Sequence, residues 1–308
     1  MLVDQIKIFS KEIKSKFIFD FNLKKSNWFN IGGKTKVYFK PESLSDLIKF
    51  LKEFGLKNKI FILGAGSNTL INDETFDGVV IKLGRNFSNN SLLPNGIIVA
   101  GSASSDKKLS DFAFDNQIGG LEFLSCIPGT VGGGLRMNAG CFKREFKDIL
   151  VSVQAVERSG TVITIPAKDI MFEYRNNNLS EELIFLSASF KGEKKPKNKI
   201  KEEMINLKAA KEKAQPTKIK TSGSTFKNPI NQTDKKVWQL IRESVAINAS
   251  FGDAHISEKH SNFFVNKGNA KFTDMKKLID FVTKSVLKKT GISIEKEIKV
   301  IDNWKKKF

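Results

Sequence analysis

GGLEFLSCIPGTVGGGLRMNAG, residues Gly119–Gly140, is the stretch on which the reading of this chain turns. It holds seven glycines and only two charged side chains, Glu122 and Arg136. Glycine is used where φ must be positive or where a Cβ would obstruct something close to the backbone. A flexible linker would be rich in Gly and Ser, whereas here Leu121, Phe123, Leu124, Ile127, Val131, Leu135 and Met137 are interleaved with the glycines. The composition predicts a buried, tightly shaped loop whose backbone is closely approached.

A second glycine turn lies upstream in FILGAGSNTL, Phe61–Leu70. The apolar run 60–63 reads as a strand that ends in Gly64, Ala65, Gly66, Ser67 and Asn68, exposing consecutive backbone N–H groups. Such concave turns bind anions, usually phosphate. The pattern is G-x-G-x-x-T and no G-K-[ST] occurs, so neither a Rossmann nor a Walker motif is present. Alone, this turn reads equally as an ordinary tight turn or a phosphate site. Two such stretches in one chain favour an extended anionic cofactor.

At 308 residues the chain has room for two or three domains. Its net charge of +19, from 52 Lys+Arg against 33 Asp+Glu, suits nucleic acid, an acidic membrane surface or anionic small molecules, and also suits plain solvated lysine. No RNP-like aromatic run, helix-turn-helix pattern or zinc spacing accompanies the charge, so no nucleic-acid partner is expected. KGEKKPKNKIK, residues 191–201, reads as a solvated linker. Two cysteines, Cys126 and Cys141, imply no disulfide framework, and Cys126 reads as a small buried hydrophobe. Two histidines, His255 and His260, imply no His-rich metal centre, and His260 reads as structural or substrate-facing. No run approaches the roughly 20 apolar residues of a membrane span, and no signal peptide opens the chain, so a soluble cytoplasmic protein is expected.

The periodicity predicts a mixed α and β chain. Leu2, Ile6, Phe9 and Ile13 mark a short helix within residues 1–20, and a turn cluster SNWFNIGG, 26–33, opens onto a strand at 36–39. A helix through Leu44, Leu47, Ile48 and Leu51 closes at Gly55, and strands follow at 60–63, 79–83 and 97–100. After a helix at 106–116, residues 149–157 turn at Ser159-Gly160 into 162–165 as a hairpin, and 183–190 is a further strand. The last hundred residues give helices near 204–214, 237–244 and 274–289, the last capped at Thr273 and stopped by Gly291. A polar loop covers 217–229, a short strand 263–265, and alternation over 292–301 puts Ile292, Ile294, Ile298 and Val300 on one face.

Three places could carry chemistry. Arg175 lies in FEYRNNNL, although a surface arginine would look the same. The loop from Thr221 to Pro229 is dense in hydroxyls, as many ordinary turns are. Glu295 stands on an alternating strand, where carboxylates are usually just solvated. No Ser-His-Asp or Cys-His arrangement points to nucleophilic catalysis.

LGAGSN (63–68), GLEFLSCIPGTVGGG (120–134) with MNAG (137–140), FEYR (172–175), GSTFKNP (223–229) and IEKE (294–297) occur in the order and spacing of the UDP-N-acetylenolpyruvoylglucosamine reductases. On these five motifs the chain resembles that family from about residue 27 to its end. The resemblance implies an α+β protein: an FAD-binding fold of the vanillyl-alcohol-oxidase type in two subdomains, 1–85 and 86–195, and a C-terminal α+β substrate domain, 196–308. It implies FAD as cofactor and NADPH as co-substrate. The substrate would be UDP-N-acetylglucosamine enolpyruvate, reduced to UDP-N-acetylmuramate for peptidoglycan.

By resemblance, Gly64, Ala65, Gly66, Ser67 and Asn68 cradle the pyrophosphate together with Ile127, Pro128, Gly129, Thr130, Gly132 and Gly133. Asn138, Ala139 and Gly140 line the flavin, and Asn27–Gly33 resembles the family's N-terminal flavin-side motif. Arg175 matches the residue that stabilises charge on the substrate carboxylate, with catalytic Glu295 beside it, and Ser224 matches the proton donor, with Lys227 as its candidate helper. Tyr174, Lys227 and Asn228 would contact substrate, Asn228 at the UDP group. With only Tyr38 and Tyr174 as tyrosines, the chain resembles the shorter subclass, which lacks a substrate-clamping tyrosine loop. The basic excess then suits three anionic ligands. The implied protein is a monomer with a small-molecule substrate and neither metal nor membrane. Another flavin oxidoreductase of the same fold, acting on a sugar or alcohol, would need no GSTFKNP loop and no UDP group.

Overall fold

Three apolar clusters account for the packing of the chain. The computed structural model describes residues 2–216 and 219–301; Thr217, where the expected polar loop begins, lies outside the described residues. Two clusters belong to one compact unit, formed by the N-terminal stretch to Phe19, Lys36–Ala65 and Gly78–Lys211. The third belongs to a second unit, formed by Asp20–Thr35, Gly66–Asp77 and the chain from Glu212 onward.

In the first unit, helix Leu44–Phe54 starts at Ser43, whose hydroxyl accepts from Asp46 N at 3.1 Å and so satisfies an otherwise orphan amide. Leu47, Phe50, Leu51 and Phe54 recur at helical spacing and are buried. Phe39, on strand Lys34–Lys40, lies 4.6 Å from Phe50 and stacks on Phe17 at 4.4 Å between ring centroids. Much of the phenylalanine excess is spent here. Fully burying one such side chain stabilises by roughly 1.5–3 kcal/mol, and Phe needs no hydrogen-bond partner as a buried Tyr would. Phe17 itself lies on a strand, Lys16–Asn22, in a region expected to be helical; the helix ends at Phe9. Phe17, Phe19 and Phe21 there follow a period of two, which is a strand signal. The sheet runs in the order Lys16–Asn22, Lys34–Lys40, Phe76–Ile81, Ile60–Ile62, the last pair parallel with Ile60 opposite Val79.

The other cluster of this unit lies on an antiparallel five-stranded sheet, ordered Val162–Pro166, Leu150–Val156, Ile184–Lys191, Ile97–Gly101, Asn90–Leu92. Its hairpin is the one that Ser159-Gly160 predicts: Val156 faces Val162, and Gly160 sits at φ +88°. Helix Asp106–Asp115 adds Leu109 and Ala113 to the core. Residues 191–201 are not the expected linker. Helix Lys197–Ala214 begins there, with Lys199 N and Ile200 N both donating to Pro196 O, at 2.9 and 3.2 Å, and Ile200 buried. Lys, Glu, Ala, Leu and Met are strong helix formers, and that propensity outweighs the charge run. Nor is Gly119–Gly140 wholly a loop: Glu122–Cys126 is a 3-10 turn, and Val131–Arg136 is a short helix. A Cβ on Gly134 would lie 2.4 Å from Cε2 and Cζ of buried Phe146, so the glycine is there for packing.

The second unit gathers Phe29, Ile31 and Leu70 into one core with Phe226, Leu240, Phe264, Leu278 and Val282. Strand Thr69–Ile71 pairs in parallel with Lys299–Ile301. The compact units therefore do not follow consecutive boundaries at residues 85 and 195, because the apolar residues of 20–35 and 66–77 complete the C-terminal core. Helix Phe272–Thr290 ends at Gly291, whose φ of +72° and bond to Leu287 O at 2.9 Å make the expected stop. It begins before the expected cap at Thr273: Asp274 Oδ2 accepts from Lys271 N at 2.9 Å. Of the alternating tail only Lys299–Ile301 is strand, although Ile294 and Ile298 are buried on the predicted face, with Ile292 and Val300 against the same core. Among the described residues no helix is long and apolar enough to cross a membrane.

Candidate active site

The first unit contributes two adjoining walls. Strand Ile60–Ile62 delivers Gly64 and Ala65 to it, and the boundary between units falls inside the turn, leaving Gly66, Ser67 and Asn68 to the second. Thr130 borders both glycine-rich turns: its Oγ1 would be 2.9 Å from a Cβ on Gly64 and 3.5 Å from one on Gly133. Thr130 Oγ1 also caps the short helix by accepting from Gly133 N at 3.4 Å. The next amides are moored to the neighbouring segment, Val131 N to Ser104 O at 2.9 Å and Gly132 N to Ser102 O at 3.0 Å. Ile127 is half-buried and Pro128 exposed ahead of them, and Gly129 O accepts from Asp106 N at 3.4 Å.

Beneath this loop the hydroxyls of Ser102 and Ser104 and both carboxylate oxygens of Asp106 are buried without a hydrogen-bond partner among the described residues. Burial holds the Asp106 carboxyl well above the usual carboxylate range. Side-chain-free backbone at Gly64 and Gly133, bordered by a hydroxyl, fits a diphosphate-bearing cofactor such as FAD, which needs close backbone approach and neutral or positive donors. The residues that would hold it here are Gly64, Ala65, Thr130, Gly132 and Gly133.

The second wall is the stretch after the short helix. Asn138 takes φ +38° and is fully buried; its Nδ2 donates to Glu145 Oε2 and to Glu173 O, each at 3.0 Å, and its Oδ1 accepts from Lys147 N at 3.1 Å. The Asn138 side chain thus braces Ala139 and Gly140 from behind. Arg175 sits at φ +61°, with Nη2 donating to Gly140 O at 3.1 Å and its guanidinium 4.8 Å from the Tyr174 ring centroid. Arg175 and Tyr174 are thereby brought against the 138–140 stretch. A left-handed backbone in a residue with a long side chain is costly, by about 1–3 kcal/mol, and such strain clusters at functional sites. Glu145, which sequence reasoning missed, joins this group as its acidic member.

The second unit carries the GSTFKNP loop between two flanking segments. On one side Ser224 bridges Phe263 and Thr225 N donates to Asn262 O at 2.8 Å; on the other Phe226 bridges Lys296 and Lys227 N donates to Glu295 O at 2.8 Å. Lys227 Nζ reaches Glu295 Oε2 at 3.5 Å, with the Glu295 side chain 76% exposed. Ser224, Lys227 and Glu295 are thereby held on one short strip. Asn228 also serves the fold: its Oδ1 accepts from Val237 N at 3.0 Å at the start of helix Val237–Ser244. Asn68 likewise works within the fold, its Nδ2 donating to Glu297 O at 3.1 Å and its carbonyl accepting from Lys299 N at 3.0 Å. Gly66, at φ +68°, backs so closely on the 26–27 turn that a Cβ would lie 2.2 Å from Ser26 O. Asn27 shapes that turn by donating to Leu23 O at 3.2 Å and Ile31 O at 2.6 Å.

His260 is structural: its Nδ1 accepts from Asn262 N at 3.2 Å, and burial lowers its pKa, so the neutral ring is the form that fits. Cys126 is buried beside the cradle, and a hydrogen bond from Cys141 is the chief cause that lowers its thiol pKa, with Ser125, Lys211 and Lys208 adding to it. Among the described residues no cluster of three or more His, Cys, Asp or Glu is arranged to hold a metal ion.

Comparison with known proteins identifies the family. Residues 35–166 match the family described as FAD binding domain, and residues 215–301 match that described as UDP-N-acetylenolpyruvoylglucosamine reductase, C-terminal domain. The UDP-N-acetylenolpyruvoylglucosamine reductase of Pelagibacter ubique (strain HTCC1062) is 69% identical over 301 residues, spanning 98% of this chain and 100% of that protein. The protein of the same name from Rickettsia bellii (strain RML369-C) is 43% identical over 94% of this chain and 95% of its own length. Among solved structures, UDP-N-acetylenolpyruvylglucosamine reductase from Thermus caldophilus is similar with a TM-score of 0.79 at 28% identity, over 94% of this chain and 99% of that one. Full-length identity at that level, together with a glycine-lined cradle and an arginine beside the 138–140 wall, shows that the chain belongs to the UDP-N-acetylenolpyruvoylglucosamine reductase family and is an FAD-containing oxidoreductase of α+β fold.

Proposed function

We propose that this enzyme uses NADPH, through FAD, to reduce the enolpyruvyl group of UDP-N-acetylglucosamine enolpyruvate to UDP-N-acetylmuramate for peptidoglycan synthesis. The observation that carries the reading is Arg175, held in a left-handed backbone conformation against Gly140 O and the Tyr174 ring, a cation fixed at the edge of the wall that fits a flavin. Bound FAD supplies two electrons, accepted from NADPH and delivered as hydride to the substrate β-carbon.

Hydride addition to an unsaturated carboxylate develops enolate charge on the carboxylate, and a preorganised cation stabilises it where it forms. Arg175 is that cation in the first unit. Ser224 then protonates the α-carbon, which completes reduction of the double bond. A serine hydroxyl is a poor acid at its ordinary pKa, so the alkoxide it leaves needs a cation nearby, and Lys227 is three residues along the same strip. Glu295 contacts the Lys227 ammonium at 3.5 Å and holds that ammonium in the strip. The same reading implies a cytoplasmic monomer whose product serves cell-wall biogenesis, and through it cell shape and division.

Stopped-flow absorbance of the flavin band tests this directly. The holoenzyme is reduced by NADPH without oxygen, then mixed with UDP-N-acetylglucosamine enolpyruvate. Rapid reoxidation is expected in the wild type, and Arg175→Ala and Ser224→Ala should accept electrons from NADPH normally but fail at reoxidation. A reduced wild-type enzyme that this substrate cannot reoxidise would overturn the reading.

A further inference from the structure

Glu145 touches nearly every group that gives the Arg175 wall its shape. Its Oε1 lies 3.7 Å from Arg175 Nη1, and its Oε2 accepts from Asn138 Nδ2 at 3.0 Å and pairs with Lys147 Nζ at 3.0 Å. Asn138 in turn donates to Glu173 O, two residues before Arg175. One carboxylate therefore fastens the 138–140 stretch to the 173–175 turn.

The backbone beneath Glu145 is fixed as well. It pairs with Gly140 across the two-residue hairpin strands Gly140–Cys141 and Arg144–Glu145, and a Cβ on Gly140 would lie 2.8 Å from Glu145 Cγ. Asp148 Oδ2 accepts from Glu145 N at 2.8 Å. The side chain is only 19% exposed, so its direction is set by these bonds and not by solvent.

The distances differ in a way that matters. At 3.0 Å the bonds to Asn138 and Lys147 are full hydrogen-bonding contacts, whereas 3.7 Å to Arg175 is an ion pair beyond hydrogen-bond length. Such a partner directs a guanidinium by charge rather than by a hydrogen bond. With Lys147 and Arg175 both beside it, Glu145 also leaves the group with one net positive charge, the balance that suits a monoanionic carboxylate.

We infer that Glu145 is a positioning residue for reoxidation: it aims Arg175 at the substrate carboxylate and ties that guanidinium to the Asn138–Gly140 wall. The inference rests on Arg175 being the partner of that carboxylate. It assigns to Glu145 no contact with substrate or flavin.

Two measurements on the holoenzyme test it. First, Glu145→Gln keeps the shape and removes the charge; its stopped-flow reoxidation by UDP-N-acetylglucosamine enolpyruvate should slow by about ten- to a hundredfold, the size of loss that an ångström of misplacement produces. Reduction by NADPH and the dissociation constant for FAD should stay unchanged, and Glu145→Asp, which keeps the charge on a side chain one methylene shorter, should lose less rate than Glu145→Gln. Adding Glu145→Gln to Arg175→Gln should cost nothing further, because both act through one guanidinium. Wild-type reoxidation in Glu145→Gln, additive losses in the double variant, or equal loss of FAD binding in Gln and Asp variants would each overturn the inference. Second, a crystal structure of the Glu145→Gln holoenzyme should show the guanidinium displaced from Gly140 O; an unmoved guanidinium overturns the inference even if the substrate is another. Failure of the wild type to be reoxidised sinks the proposed reaction alone, and the crystal structure still decides the role of Glu145.

Discussion

Asn262 grips the main chain of Phe226 from both sides, its Oδ1 accepting from Phe226 N at 2.9 Å and its Nδ2 donating to Phe226 O at 2.9 Å. Phe226 is buried against Phe264 at 5.8 Å, so the GSTFKNP loop is anchored by one apolar ring and one amide while Ser224 and Lys227 flank it on the half-buried side. Asn262→Ala would leave two buried backbone groups unsatisfied, at about 1–3 kcal/mol each. Its thermal unfolding should fall clearly below wild type, and flavin reoxidation should slow while reduction by NADPH does not. Asn262→Asp, which keeps the acceptor alone, should fall between. Equal melting temperatures for all three proteins would show that the clamp contributes nothing.

Adjacent glycines of the GGG run should respond in opposite ways. Alanine at Gly134 meets Phe146 ring atoms at 2.4 Å, and Phe146 is wholly buried beside Phe190, so Gly134→Ala should destabilise by roughly 1–3 kcal/mol, the usual cost of overpacking. Alanine at Gly133 meets only Thr130 Oγ1 at 3.5 Å, so the apoprotein should keep or slightly raise its melting temperature, since Ala is the better helix former. The new methyl at Gly133 would stand in the space read as the pyrophosphate cradle. Titration with FAD should therefore show weaker binding for Gly133→Ala; unchanged affinity would move the cradle elsewhere.

The glycine turns, the Ser159-Gly160 hairpin and the stop at Gly291 were legible because each depends on a local backbone requirement. The packing of 20–35 and 66–77 with the C-terminal residues was not, since Thr69–Ile71 finds its partner at Lys299–Ile301 and no periodicity spans that separation. Glu145 was invisible for a related reason: in KREFKD it is one charge among five, and only the tight pairing of Gly140 with residue 145 turns it toward Arg175. Asn228 and Asn68 were legible only in part. Their motifs suggest ligand contacts, and the fold adds what the sequence did not show, a bond from Val237 N to the Asn228 oxygen and one from the Asn68 amide to Glu297 O.

Asp106 gives a prediction with a definite sign. Its carboxyl is fully buried, neither oxygen has a partner among the described residues, and desolvation raises its pKa well above 3.8. Below pH 3.8 folded and unfolded chains are both protonated at this site. As pH rises, the unfolded chain releases the proton while the folded one retains it, so this residue subtracts stability until the folded pKa is passed, at no more than about 1.4 kcal/mol per pH unit. Asp106→Asn should match wild-type stability near pH 4 and exceed it by a margin that grows as the pH rises from there toward the folded pKa. Denaturant unfolding of the apoprotein at several pH values measures this, and parallel curves for the two proteins would refute it.

His260 should impose the reverse slope. Burial lowers its pKa below 6.5, and its Nδ1 accepts from Asn262 N, so a proton there converts an acceptor into a donor facing another donor. Above pH 6.5 both states hold the neutral ring and the bond is intact. As pH falls below that value the unfolded chain takes up the proton first, and stability declines until the folded pKa is reached. Because Asn262 also clamps Phe226, protonation should loosen the GSTFKNP loop before it unfolds the protein. Hydrogen exchange at the Phe226 amide should therefore quicken as the pH falls from 6.5 through the folded pKa, relative to the Leu278 amide in helix Phe272–Thr290, once the intrinsic pH dependence of exchange is divided out. In His260→Asn, which has no proton to gain, the ratio of the two protection factors should stay level. A ratio that is flat in the wild type as well would separate His260 from the loop.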